Sequence, residues 1–133
     1  MRQLIVPIVI VTLSAGSLAA KQTIREVAVI DNAVFDVAVA DLIRKKCPSI
    51  APRIVKALSL YRATRAKAKA MGYTDEDIKA YGDSEAEKSR MRAKGEAYLK
   101  AQGVVASDPQ SYCAVGRKEI QKASRIGSLL REK

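Results

Sequence analysis

Histidine is absent from the chain. The side chain best suited to moving protons near neutral pH is therefore missing, with every triad or metal site built on it. Carboxylates, serines beside lysines and two cysteines remain. Asp31, Asp36 and Asp41 recur every five residues. Each such step turns a helix by about 140°, so the three spread around it. A solvated face plus one cap suits them better than a catalytic carboxylate pair. Asp75-Glu76-Asp77 gathers oxygen ligands, but it lacks the spaced ligands and glycine of a calcium loop. The acidic first turn of a helix explains it. Ser59, Ser89 and Ser124 have basic neighbours, as has nearly every residue of this chain. Gly95, Gly103, Gly116 and Gly127 stand alone and form no phosphate-cradling loop. The expectation is a protein without catalytic residues, metal, cofactor or small-molecule substrate.

Positive charge is the remaining chemical signal. The chain carries 24 Lys and Arg against 14 Asp and Glu, a formal net charge of +10. Arg62, Arg65, Lys67 and Lys69 form one group with no acidic residue nearby before Asp75. They are the candidate patch for an anionic surface. Lys88, Arg90, Arg92 and Lys94 form a second group, interleaved with Glu85, Glu87 and Glu96, which offer helical i,i+3 and i,i+4 pairing.

Which surface meets this charge depends on the compartment. Met1-Arg2-Gln3 is followed by the apolar run Leu4–Leu13 and then by small residues up to Ala20. This is the three-part pattern of a secretory signal peptide, residues 1–20, with cleavage after Ala19 or Ala20. A retained N-terminal membrane anchor is the alternative, but the apolar core is about half the roughly 20 residues a spanning helix needs. With Arg2 removed, net +9 remains on residues 21–133. A periplasmic location directs it toward lipid headgroups, cell-wall polymer or a protein partner, and away from nucleic acid. Export also makes Cys47 and Cys113 a structural disulfide in place of two free thiols.

These residues need an all-helical scaffold. Residues 21–30 read as an extended arm. Asp31 or Asn32 caps a helix to about Cys47, with Val34/Phe35, Ala38/Val39 and Leu42/Ile43 forming one broad apolar stripe. Pro48 ends it. Ser49 starts a second helix, with Pro52 in its first turn, running to Met71 and stopped by Gly72. Ile54, Leu58, Tyr61, Ala68 and Met71 mark its apolar side. Thr74 and Asp77 cap a short helix ending at Gly82, and Ser84 with Glu87 cap another to about Gln102, whose inner face holds Met91, Gly95 and Tyr98. Asp108-Pro109 opens a last helix reaching nearly to Lys133, with Cys113, Gly116, Ile120, Ala123, Gly127 and Leu130 on one face. Its two glycines imply close approach of a neighbouring backbone. The fold class is all-α: a small single-domain bundle of four main helices and one short one, stapled from the end of the first to the start of the last.

The stretches ADLIRKKC (40–47), MGYTDEDIKAY (71–81), EKSRMRAKGEAYL (87–99), DPQSYCAVGRKEI (108–120) and IGSLLR (126–131) resemble a small uncharacterised family of exported alphaproteobacterial proteins, chiefly of the Rhodobacterales, known as a domain of unknown function. The resemblance covers essentially all of 21–133 and includes both cysteines. It brings no catalytic residues. It implies a gene neighbourhood, that of the proton-pumping NADH:quinone oxidoreductase (respiratory complex I), and hence an accessory or assembly factor on the periplasmic side of that complex. The functional expectation is a non-enzymatic periplasmic protein that binds a protein partner. The alternative is a basic module for anionic envelope surfaces.

Overall fold

Ile24–Glu26 forms a single 3-10 turn, and the first long helix starts directly after it at Ala28. The expected extended arm is thus helical over most of its length. Glu26 accepts from the Thr23 amide and hydroxyl at 2.8 and 2.9 Å. Val27 then receives the first amides of the helix, from Ile30 and Asp31, on its carbonyl. Helix α1 (Ala28–Lys46) therefore begins three residues before the expected Asp31 cap, and Val27 caps it without a side-chain bond. Asp31 is freed for another role. In this computed structural model residues 20–133 are described; the signal-peptide reading falls on residues outside them, save for Ala20.

Cys47 ends α1, and the next segment is a strand in place of the expected helix start. Pro52 disfavours helical backbone at the residue before it. Ile50–Pro52 accordingly runs extended as β1, and α2 (Ile54–Ala70) starts only after it. Gly72, at φ 88°, ends that run in the left-handed region open to glycine. Helix α3 (Asp75–Asp83) has both halves of its capping box: Asp77 N to Thr74 Oγ1 at 3.1 Å and Thr74 N to Asp77 Oδ2 at 2.9 Å. Helix α4 (Glu85–Ala101) has one half, Glu87 N to Ser84 Oγ at 3.2 Å. The Glu87 carboxylate turns instead to Arg90 and Arg25.

Helix α5 (Pro109–Gln121) is capped by Asp108 through Gln110 N at 3.0 Å. It stops far short of Lys133. Ala123 takes φ 50°, reversing the chain, and Ser124 N bonds back to Glu119 O. Gly127–Leu129 makes a 3-10 turn, and Leu130–Glu132 forms β2. The strands pair antiparallel, Ile50 with Glu132 and Pro52 with Leu130. The spacing of Ile120, Ala123, Gly127 and Leu130 mimics one continuous helix face, but its second half folds back.

The described residues are thus all-α apart from this ribbon, with four long helices, one short one and a Cys47–Cys113 disulfide. Helix α1 is central and packs on α4, α5 and α2. The main core gathers Val39 and Ile43 of α1, Leu99 of α4, Val115 of α5, Ile50, and Leu130 of the returning chain. A second, smaller core joins Ile24, Ile30, Ala68 and Tyr73. Of the two glycines expected to meet a neighbouring backbone, Gly127 alone does so: a Cβ there would overlap the Glu119 carbonyl of α5. Gly116 faces side chains instead, where a Cβ would lie 2.8 Å from Ile43 Cγ2 and overlap Ile50.

Candidate docking groove

Helix α1 is covered around most of its circumference, with one arc left open. Ile30, Val39, Ala40 and Ile43 are buried against neighbours. Val34, Val37, Ala38, Asp41, Leu42 and Lys45 recur at the three- and four-residue spacing of one helix stripe; the four apolar ones form the floor of a groove of about 490 Å³, and Asp41 and Lys45 lie at its edge. Helix α2 supplies one wall with Tyr61, Thr64, Arg65 and Ala68. Helix α4 supplies the other with Glu87, Lys88, Met91 and Arg92. Ile24, Ile78 and Tyr81 close one end. The expected single stripe on α1 therefore serves two surfaces. Of each apolar pair, Val39 and Ile43 enter the core, while Val34, Ala38 and Leu42 line the groove. The signal is present in the pairing: adjacent apolar residues at every turn cover a wider arc than one core face needs.

The groove is apolar inside and charged at its lips. Lys45, Arg65, Lys88 and Arg92 stand on the rim with Asp41 and Glu87. Most of these charges are tied locally. Asp41 pairs with Arg44 and Lys45, Lys88 with Glu85 at 2.8 Å, and Arg65 with Asp75 at 2.6 Å. Arg92 makes no ion pair among the described residues. Burial raises the Tyr81 phenol above its ordinary pKa, and Arg90 reaches its hydroxyl at 3.3 Å.

Helix α1 is held in place by two carboxylates that the sequence spacing assigns to a cap and a solvated face. Asp31 is buried and receives Arg90 at 2.6 Å and Lys94 at 2.8 Å, locking α1 to α4. Asp36 is buried and receives Arg125 at 2.8 Å, locking α1 to the chain after α5. Of the three, Asp41 alone keeps the expected surface role. Beside Asp36 lies Glu119, also buried, which accepts from Tyr98 at 2.9 Å and from Ser124. Burial and this bond push the Tyr98 phenol up to about 12.

Asp31 and Asp36 shift in opposite directions. Burial alone would raise Asp31, but hydrogen bonds from Arg90 and Lys94 outweigh it and hold the carboxyl below its ordinary value. Burial dominates at Asp36 and lifts it above the ordinary value, Arg125 offsetting only part. Asp31 thus contributes stability that is present above its unfolded value and lost as pH falls through its lowered one. Asp36 contributes stability that is full below its unfolded value and declines as pH rises through its raised one. Asp31→Asn is expected to cost about 2 kcal/mol at neutral pH, the scale of hydrogen bonds between charged groups, and to flatten the loss at acid pH. Urea titrations at neutral and acid pH check this. An acid loss in the variant as large as in the parent would contradict the assignment.

The four cations of the expected anionic patch do not form one site. Arg62, Arg65 and Lys69 share one side of α2, and Lys67 lies on another. Arg65 and Lys69 both pair with Asp75, at 2.6 and 3.2 Å. Arg62 and Lys67 make no ion pair among the described residues. Cys47 and Cys113 are joined, as expected, deep in the core. Among the described residues no cluster of three His, Cys, Asp or Glu is placed to hold a metal ion, and no helix is long and apolar enough to cross a membrane.

A family model described as "Family of unknown function (DUF5333)" matches residues 22–131. The chain belongs to this family. DUF5333 begins just before the 3-10 turn at Ile24 and ends within β2, so it takes in both cores, the groove and the disulfide. No curated protein and no solved structure matches the chain.

Proposed function

We propose that this DUF5333 protein is a non-enzymatic docking module that receives an amphipathic helix of a partner protein in the groove between α2 and α4. The observation that carries the reading is the open arc of α1. A stripe from Val34 to Lys45 lies at helical spacing with two helices flanking it and, among the described residues, none covering it. Helices recognise such troughs through side chains at i, i+3, i+4 and i+7. Arg92, the rim cation with no ion pair among the described residues, favours a helix with an acidic edge. The partner setting comes from the resemblance to an exported alphaproteobacterial family: the periplasmic side of respiratory complex I, where the chain serves as an accessory or assembly factor after export and cleavage at Ala19 or Ala20.

Purification of complex I in mild detergent, with identification of its polypeptides, tests the partner. Repeated absence of this chain would end the complex I part. Val37→Glu tests the groove. Val37 is exposed on the floor, so the fold is expected to persist while capture of the partner falls roughly tenfold or more. Undiminished capture would move the interface elsewhere.

A further inference from the structure

Helix α2 carries a second apolar surface outside the groove. Ile54 is 59% exposed, Val55 78%, Leu58 48% and Tyr61 60%. They fall within an arc of about 120°, and of the four Tyr61 alone reaches the groove wall. The helix meets the rest of the fold through small or half-buried residues on its other side: Ala57, Leu60, Thr64 and Ala68. Four large apolar side chains side by side on a convex face are a surface that monomeric proteins rarely leave unused.

The charge around this face selects its occupant. Between Asp41 and Asp75 the chain has no acidic residue and nine Lys and Arg. Arg53 precedes the apolar residues at the start of α2, and Arg62 and Lys69 follow them on the exposed arc, while Lys56 lies about 160° from its middle. Arg53, Lys56 and Arg62 make no ion pair among the described residues. Arg44 and Lys45, by contrast, share the Asp41 carboxylate on α1.

We infer that the outward face of α2 docks on a bilayer containing anionic phospholipid, with Ile54, Val55 and Leu58 entering the interface and Arg53, at the helix start, and Arg62 meeting the headgroups. An interfacial helix needs both components: apolar side chains to enter the acyl boundary and cations for the anionic surface. A second copy of the chain fits poorly, because a two-fold contact would set this acid-free face against itself. The surface is convex, unlike the trough that takes a partner helix, and the inference stands independently of the groove.

Co-sedimentation of the full chain with vesicles tests it. Residues 1–19 are common to every variant, so α2 alone can produce a difference among them. The parent is expected to sediment with phosphatidylcholine vesicles containing phosphatidylglycerol, far less with phosphatidylcholine alone, and progressively less as salt rises. Arg53→Gln with Arg62→Gln is expected to weaken partition roughly thirtyfold, at the usual contribution of a cation near a charged surface. Ile54→Ser with Leu58→Ser is expected to weaken it roughly tenfold or more. Both sets are exposed, and unchanged thermal unfolding would confirm that the fold is intact. Val37→Glu, which blocks the groove, should bind vesicles like the parent. Equal binding to both vesicle types would overturn the proposal, as would parental binding by the Ile54/Leu58 variant. Self-association that depends on Ile54 and Leu58 and occurs without lipid would assign the face to a second copy and overturn it equally.

Discussion

Replacing Cys47 and Cys113 with alanine is expected to lower stability by about 4 kcal/mol. The bridge spans 66 residues. Chain-entropy estimates for loops of that order fall between about 3 and 5 kcal/mol. The position adds to the length. Cys47 is the residue that ends α1, and Cys113 lies in the first half of α5. Both are almost completely buried in the main core. The bridge therefore fixes the two helices that hold β1 and the returning chain between them. Urea unfolding with and without reductant separates the two contributions. Reduction removes the cross-link alone, while the alanine pair also removes the sulfur atoms and leaves a small cavity. A shift in Tm on the order of 15 °C should accompany the loss. A reductant effect below about 1 kcal/mol would show that packing alone holds α1 to α5.

The helices are legible in the sequence because their ends are written in local chemistry. Thr74, Ser84 and Asp108 cap where expected, and Gly72 and Gly103 stop the chain at positive φ. The departures fall where a local signal has two readings. Pro52 suits the first turn of a helix, yet it also favours extended backbone at Ala51, and the β1–β2 pairing decides between them. Asp31 suits an N-cap, yet Arg90 and Lys94, about sixty residues away, claim it as a buried counter-ion. The turn at Ala123 carries no glycine. It exists because Ser124 and Gly127 find partners on Glu119 and Ser124, contacts that arise in the folded chain.

The candidate site is legible in composition more than in place. The apolar pairs on α1 announce a wide stripe, and the Arg62–Lys69 group announces positive charge. Neither spacing could show that α2 leaves the stripe open, or that Asp75 ties down two of the four cations. Ile54, Leu58 and Tyr61 do share a side, as their periodicity indicates, but that side faces outward. Periodicity identifies a helix face; it does not say what the face meets.

Gly127→Ala is expected to cost about 3 kcal/mol or more, although alanine is ordinarily the better residue wherever helical backbone is involved. A Cβ on Gly127 would overlap the Glu119 carbonyl and stand 2.7 Å from Ile120 N. These are backbone atoms of α5 and cannot rotate away. Relief requires the turn at Gly127 to lift from α5. That movement pulls on Ile126, Leu129 and Leu130, all buried in the main core, and on the pairing of Pro52 with Leu130. Two comparison substitutions isolate the cause. Gly95→Ala meets the end of the Leu42 side chain at 3.0 Å, which can shift, so its cost should be small. Gly82→Ala in α3 meets nothing within 4 Å and should stabilise by up to about 1 kcal/mol. Urea midpoints for the three variants, ranked Gly82→Ala, Gly95→Ala, Gly127→Ala from most to least stable, would establish that backbone contact sets the order. A Gly127→Ala stability within about 1 kcal/mol of the parent would mean that the returning chain is not held against α5. The disulfide and Gly127 secure the same return from opposite ends of α5, so their losses should not add. Once reduction has freed the start of α5, the helix can shift to admit the extra methyl, and the alanine should cost less than in the oxidised protein.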